Sequence, residues 1–366
     1  MKRVLAAAAL AASTTGCAIA PDAWPARGVL GGATVETTVD SPTAAEMLAQ
    51  VGSTSADASL AALATAWADR VPTTEELAEV SRRWSPDVAT LMLWRQLERR
   101  AAADELVASY RRGLTLDAGS PQLLQDEVFV LVPGWLYRSD PGTGADLARQ
   151  ARLLALHGAR VIRVNTDENG TVEANAARVI DAVRLAAADS RRVTLVSASK
   201  GGAEVALALS SLSRSGEPGA VQAWVNIGGT LRGTPLADRA LSWPACWFVQ
   251  TAVLNDGSFD ALRSLSSAAS AERAAALRRP AQLRVINLIG VPLSGQVSER
   301  ARVGYRLLRA HGPNDGITAL GDALADDAST IAFPGADHYF QQPGLDRHTL
   351  AVAWAITQGT HQRQAP

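Results

Sequence analysis

From residue 126 onward, short unbroken apolar runs alternate with longer stretches whose apolar positions recur every three or four residues. Residues 128–132 (VFVLV) are apolar throughout, as expected of a strand covered on both faces. Strand-like runs follow at 160–164, 193–196, 223–227, 283–289 and 330–333, while 144–156, 172–188, 202–212 and 345–357 carry a helical period. Alternation at this spacing predicts an α/β domain over 126–366, built on a mainly parallel, doubly wound sheet. The alternation lapses after residue 227 and resumes at 283, which marks an insertion at about 232–280.

Upstream the texture is helical from 41 to about 118. Pro42 follows Ser41 as proline at a first helical position follows its cap, and Thr73-Thr74-Glu75-Glu76 has the form of a capping box. Residues 87–111 place Val88, Leu91, Met92, Leu97, Leu106 and Val107 on one helical period. This region is expected to pack on the α/β domain, and a partner-binding role for it stays open. Residues 18–40, rich in Pro, Gly and Thr without an apolar period, are expected to be a tether.

Composition narrows the class. Of 366 residues, 47% are apolar, and the net charge of −1 gives no field that would draw nucleic acid. Two cysteines, Cys17 and Cys246, exclude a disulfide-built scaffold and a cysteine-rich zinc domain. Only two lysines occur, Lys2 and Lys200. Met1-Lys2-Arg3 followed by an uncharged run at 4–12 reads as a secretory signal, too short to span a bilayer. Thr15-Gly16-Cys17 resembles the end of a bacterial lipobox, departing from it at Thr14, and makes Cys17 the expected lipidation site. Export as a periplasm-facing, outer-membrane lipoprotein is the expectation; cleavage after Ala18-Ile19-Ala20, giving a soluble periplasmic or secreted product, stays open.

The chemistry concentrates after the strand at 193–196. There the chain reads Ser197-Ala198-Ser199-Lys200-Gly201-Gly202 and runs into a helix. A serine at the tip of a tight strand-to-helix turn, with small residues two before and two after it, is the form of a nucleophile elbow. Ser197 stands where glycine is usual. The same residues match S-x-x-K, but no lysine follows Lys200, so the K-T-G element of that acylation chemistry is missing. A nucleophilic serine needs a base. His157 precedes the elbow, His361 lies in the polar tail and His348 falls within the closing helix, leaving His311 and His338. His338 sits in the turn after the last strand, at the edge where α/β sites assemble. Asp315, in the turn Gly312-Pro313-Asn314-Asp315-Gly316, is the candidate acid. Asp322, Asp326 and Asp327 are expected at the surface, and Asp337 adjoins the histidine too closely in sequence to brace it.

The order Ser199, Asp315, His338, with Val132-Pro133-Gly134-Trp135 and Asn226-Ile227-Gly228-Gly229-Thr230, resembles the α/β-hydrolase superfamily, most closely its lipase and GPI-inositol-deacylase-like branch. The resemblance covers 126 to about 357. It implies an α/β-hydrolase fold carrying an N-terminal helical region and a lid-like insertion. It also implies an oxyanion hole from the backbone amides of Trp135 and Lys200. Pro133 stands where the family commonly has histidine. The implied activity is hydrolysis of carboxylic esters, of a small-molecule or lipid substrate, with no metal or organic cofactor. The run Leu241-Ser242-Trp243-Pro244-Ala245-Cys246-Trp247-Phe248-Val249 reads equally as an apolar lid facing lipid or as the insertion's own core. A catalytically silent hydrolase fold serving as an envelope binding or scaffold lipoprotein is the alternative.

Overall fold

The computed structural model describes residues 23–364, apart from 51–56, 116–122, 189–191, 218–220, 243–257, 277, 279 and 281. The signal, Cys17, and the aromatic run at 243–249 with Cys246 lie outside the described residues.

The expected tether is not one beyond residue 23. Strands β1 (Trp24–Leu30) and β2 (Ala33–Val39) form an antiparallel hairpin, paired from Trp24↔Val39 to Leu30↔Ala33. The two-residue turn between them is Gly31-Gly32, both at positive φ (60° and 80°), which glycine adopts without a Cβ clash. Helices α1 (Pro42–Ala49), α2 (Ala58–Ala66), α3 (Thr74–Arg83), α4 (Pro86–Ala102) and α5 (Glu105–Gly113) come next. Ser41 caps α1 through the Ala44 amide. The capping box is complete: Glu76 N–H donates to Thr73 Oγ1 at 3.2 Å, and Thr73 N–H to Glu76 Oε2 at 2.8 Å. The single helical stretch expected at 87–111 is two helices. Asp104 divides them by accepting from the Leu106 and Val107 amides, and so starts α5.

The α/β domain holds β3 (Glu127–Val132), α6 (Ala148–Leu156), β4 (Arg160–Arg163), α7 (Val172–Ala187), β5 (Arg192–Ala198), α8 (Lys200–Arg214) and β6 (Val221–Ile227). Short helices α9 (Pro235–Leu241), α10 (Ser258–Ser264) and α11 (Ser267–Ala276) occupy the insertion, before β7 (Arg284–Val291), α12 (Glu299–Leu308), β8 (Ser329–Pro334) and α13 (Leu345–Gln364). The six strands pair in parallel in the order β4-β3-β5-β6-β7-β8. Alternate residues serve opposite layers. Val128, Val130, Leu195 and Trp224 pack with α7 and α8, whereas Phe129, Leu131, Val225 and Phe333 face α6 and α13.

A separate core joins the N-terminal region to this domain. Leu48, Leu77, Val80, Leu91 and Leu93 pack with Ile289, Val291, Leu293, Leu320 and Leu324. Buried polar groups pin the same junction: Asp87 accepts from the Asp40 amide at 2.8 Å, the Ser294 amide at 2.8 Å and the Ser294 hydroxyl at 2.6 Å. Burial, and then the neighbouring Asp40 charge, push the Asp87 carboxyl up to about 7. Among the described residues, no helix is long and apolar enough to cross a membrane.

Candidate active site

β5 ends at Ala198 and α8 begins at Lys200, so the whole turn falls on Ser199. Its backbone is forced into φ 51°, ψ −121°, a conformation costly for any residue with a Cβ. Three amide hydrogen bonds hold it there, Ser199 N–H to the Ile227 carbonyl at 2.9 Å, and Gly202 N–H and Thr230 N–H to the Ser199 carbonyl at 2.9 and 3.2 Å. The small residue two positions on is sterically required. A Cβ at Gly201 would lie 2.7 Å from the carbonyl oxygens of both Val132 and Pro133.

Ser197, where the elbow pattern has glycine, is fully buried and accepts a hydrogen bond from Trp224 Nε1 at 2.8 Å. The departure thus supplies the partner of a buried indole. Replacing Ser197 by glycine should strand that N–H and lower stability by about 1–3 kcal/mol, read as an earlier denaturant midpoint at unchanged m-value. A midpoint at or above that of the parent protein would contradict this role.

The Ser199 hydroxyl lies 2.9 Å from His338 Nε2, and His338 Nδ1 lies 2.8 Å from Asp315 Oδ2. Three residues from the turn after β5, the β7–β8 crossover and the turn after β8 therefore form one hydrogen-bonded line. Because a carboxylate only accepts, Nδ1 carries the proton toward Asp315 and Nε2 is free to accept from Ser199. The other oxygen of Asp315 accepts from the Ile317 and Thr318 amides, at 2.9 and 2.8 Å, which fixes the carboxylate's orientation. Its turn is tied further by Asn314, whose side chain donates to the Tyr305 and Gly312 carbonyls and accepts from the Gly316 amide.

The remaining candidates fall elsewhere. Asp337 accepts from the Ser298 and Tyr339 amides, not from the imidazole. His348 pairs with Tyr110 at 2.7 Å, His157 bonds back to Leu153 of its own helix, and His311 is exposed. Asp326 and Asp327 are exposed, but Asp322 is not: Thr74 of α3 donates to it at 2.7 Å, and burial raises its carboxyl. The sequence showed it in a polar stretch, while its partner lies 248 positions away.

Around His338, burial works against the charged ring, but the Asp315 carboxylate outweighs it and Asp337 adds to it. The imidazole is thereby held above its ordinary value of 6.5. A ring that must accept a proton works only when neutral, so kcat/KM should fall as pH drops through that raised value. The acidic limb of the pH profile is expected to have its midpoint above 6.5. A midpoint below that value would show that Asp315 does not govern the ring.

Gly134 abuts the serine: a Cβ there would lie 3.2 Å from Ser199 Cβ, while its amide is taken by the Ala145 carbonyl. Trp135, next along, is thus placed beside Ser199, with its side chain packed into the insertion core of Ala237, Ala240, Leu262 and Leu265. Lys200 opens α8, so its amide is one of the helix-start donors without an intrahelical acceptor. Its ammonium is turned away into a buried ion pair, 2.8 Å from Glu204 Oε1, an oxygen that also accepts from Asn175 at 2.8 Å. Both side chains are 3% exposed or less.

Ser199 and His338 open on a cavity of about 510 Å³ with predominantly apolar walls. Among the described residues, no cluster of three or more His, Cys, Asp or Glu side chains could hold a metal ion.

No protein-family model matches the sequence, and no curated protein does. Solved structures do. The chain is similar to the metagenomic carboxyl esterase MGS0156 at 23% identity and a TM-score of 0.53, over 65% of this chain and 76% of that one. It also matches the lipase BlEst2 of Bacillus licheniformis in its mature form (22% identity, TM-score 0.47, 68% of this chain and 92% of that one). A further match is the phospholipase PlaB of Legionella pneumophila in complex with thio-NAD (16% identity, TM-score 0.43, 63% and 57%). The parallel sheet with helices on both faces, and the likeness to the carboxyl esterase, give the chain the α/β-hydrolase fold.

Proposed function

We propose that this protein is a serine hydrolase that cleaves carboxylic esters, with a lipid-like acyl group, through an acyl-enzyme on Ser199. The observation that carries the reading is the line from Asp315 through His338 to a serine held at a left-handed elbow, opening on an apolar cavity. His338 Nε2 takes the hydroxyl proton as Ser199 Oγ attacks the ester carbonyl. The oxyanion is received by the Trp135 and Lys200 amides, and the proton passes to the leaving alcohol. Water, activated by the same ring, then releases the carboxylic acid. Asp315 fixes the tautomer and stabilises the imidazolium.

The closer relation to lipases and GPI-inositol deacylases rests on the sequence motifs. Lipidation at Cys17, with the enzyme held at the outer membrane facing the periplasm, belongs to the same proposal and rests on the signal. A mature protein whose N-terminus is an acylated Cys17 is the expected finding; a soluble product starting further on would remove the anchor. The departures at Ser197 and Pro133 are the features that would favour a silent scaffold, and neither bears on the catalytic groups. The Ser197 hydroxyl is committed to Trp224, and backbone donors do not depend on residue 133.

A fluorophosphonate probe tests the enzyme reading. It should label the protein covalently and stoichiometrically, and fail to label Ser199→Ala. Absence of labelling in the parent protein, or equal labelling of the variant, would overturn it.

A further inference from the structure

Two of the three candidate catalytic residues are placed by strand ends. Ser199 follows β5 directly, and His338 lies in the turn that leaves β8. Asp315 has no such support: between it and the end of β7 at Val291 come a short 3-10 turn and the whole of α12. Yet it is 1% exposed, and its carboxylate meets the imidazole at 2.8 Å. On the side of the site, His338 N–H donates to the Asp315 carbonyl at 3.0 Å, and Thr318 Oγ1 to the Gly233 carbonyl at 3.1 Å. On the other side stands the N-terminal helical region.

Helix α3 backs the segment that carries Asp315 at both of its ends. A Cβ at Gly312 would lie 3.2 Å from the Ala78 amide nitrogen, and one at Gly321 would lie 2.5 Å from Thr74 Oγ1. Thr74 and Ala78 are four residues apart, neighbours on one face of the helix. The segment therefore leaves α3 at Gly312, carries Asp315, and returns one helical turn away at Gly321, where Thr74 Oγ1 donates to Asp322 at 2.7 Å. The helix leading into it is tied to the same region. Tyr305 of α12 donates to Asp87 Oδ1 at 3.3 Å while its carbonyl accepts from Asn314 at 3.4 Å. Arg309, just past α12, pairs with Asp40 at 3.3 Å. Fixing both ends of a short loop on one helix removes most of the positions its middle could otherwise sample.

We propose, on the basis of the hydrolase reading above, that the N-terminal helical region is a working part of the site, with Thr74 of α3 the positioning residue that holds Asp315 against His338 by clamping the segment 312–322. Thr74 lies outside the cavity lining and reaches the reacting groups only through the segment it holds. A change there should alter how well Asp315 serves the ring and leave substrate binding alone.

Thr74→Val keeps the side-chain shape and the capping box of Thr73 and Glu76 but removes the donor to Asp322. It should lower kcat on a soluble aryl ester by about ten- to a hundredfold with KM unchanged, the scale expected when a reacting group is misplaced by about 1 Å. Thr74→Ser, which restores the donor, should recover most of the rate. In an Asp315→Asn background, Thr74→Val should cost less than about twofold, because the residue it acts through is already gone. Gly321→Ala is the second variant should Thr74→Val fail to fold: its Cβ would push the segment off Thr74 while every ionisable group is kept, and the same pattern is expected. An equal loss in both backgrounds, or full activity in the folded variants, would overturn the proposal. An NMR titration of His338 needs no turnover. With Asp315 drawn away, the ring loses the partner that chiefly raises it, so its midpoint should fall in Thr74→Val relative to the parent protein, while Asp337 stays on its own amides. An unmoved midpoint would equally overturn it. If the midpoint falls but the parent protein hydrolyses no ester, the positioning role stands and the hydrolase reading falls.

Discussion

Ser199→Ala is expected to reduce kcat on a soluble aryl ester by about a millionfold, the loss seen where a nucleophile is removed from an intact serine–histidine–aspartate set. The expectation follows from the geometry, not from the residue type alone. Ser199 is the residue whose hydroxyl meets His338 Nε2, and its strained backbone is what presents it at the strand tip. Removing Oγ leaves the strain, the amides proposed to receive the oxyanion and the cavity in place, so some catalysis over water should survive. Ser197→Ala is the control on the same turn. Its hydroxyl serves Trp224 and never reaches the histidine, so activity should hold while stability falls. Steady-state rates on purified protein decide this, and a fall of less than about tenfold for Ser199→Ala would point to another nucleophile.

Asp315→Asn should cost about 10⁴ in kcat near neutral pH, the size known for the same replacement in a serine protease. Asp315 accepts two backbone amides on Oδ1 and faces the imidazole with Oδ2. An asparagine keeps its carbonyl oxygen on the Ile317 and Thr318 amides, since those donors demand an acceptor. Its NH₂ then points at His338 Nδ1. The ring answers by moving its proton to Nε2, which now presents a donor to Ser199 and cannot take the serine proton. The fold should be little disturbed, because shape and backbone bonds are kept. Near-parental melting with activity lost separates this tautomer fault from unfolding; retained activity would remove Asp315 from the site.

Much of this was legible along the chain because it is local. The β5 run, the elbow after it and the α8 helix occupy one continuous stretch, and strand ends at Ala198 and Pro334 place Ser199 and His338 at one sheet edge. Asp315 could be chosen because it lies in a Gly/Pro turn at the right place in chain order. What stayed hidden depends on distant partners. Val35 and Val39 show no strong alternation against their threonines, and the Gly31-Gly32 turn looks like linker composition until the two strands are paired. The helical region shows capping signals but not the surface it covers. Its Thr74 and Asp87 meet Asp322 and Ser294, both carried on segments that flank Asp315 in the chain. The cavity is equally invisible in sequence, since its lining is drawn from the turn at 142–147, the insertion and the segment around His338, which come together only in the fold.

The shared core of the N-terminal region and the α/β domain has a consequence in time. Its N-terminal members end at Leu97 and their partners begin at Ile289. A ribosome adding about 5–20 residues per second needs roughly 10–40 s to cross that interval. Throughout it, Leu77, Leu91 and Leu93 can close only against N-terminal members of that core such as Leu48, Leu60 and Trp67, and the face that meets Ile289, Val291 and Leu320 stays uncovered. The chain must therefore carry an open apolar face through most of its own synthesis, and its acid and base loops are secured only when the last quarter emerges. Such a protein should depend on a holding chaperone in the cell even if the finished fold is robust.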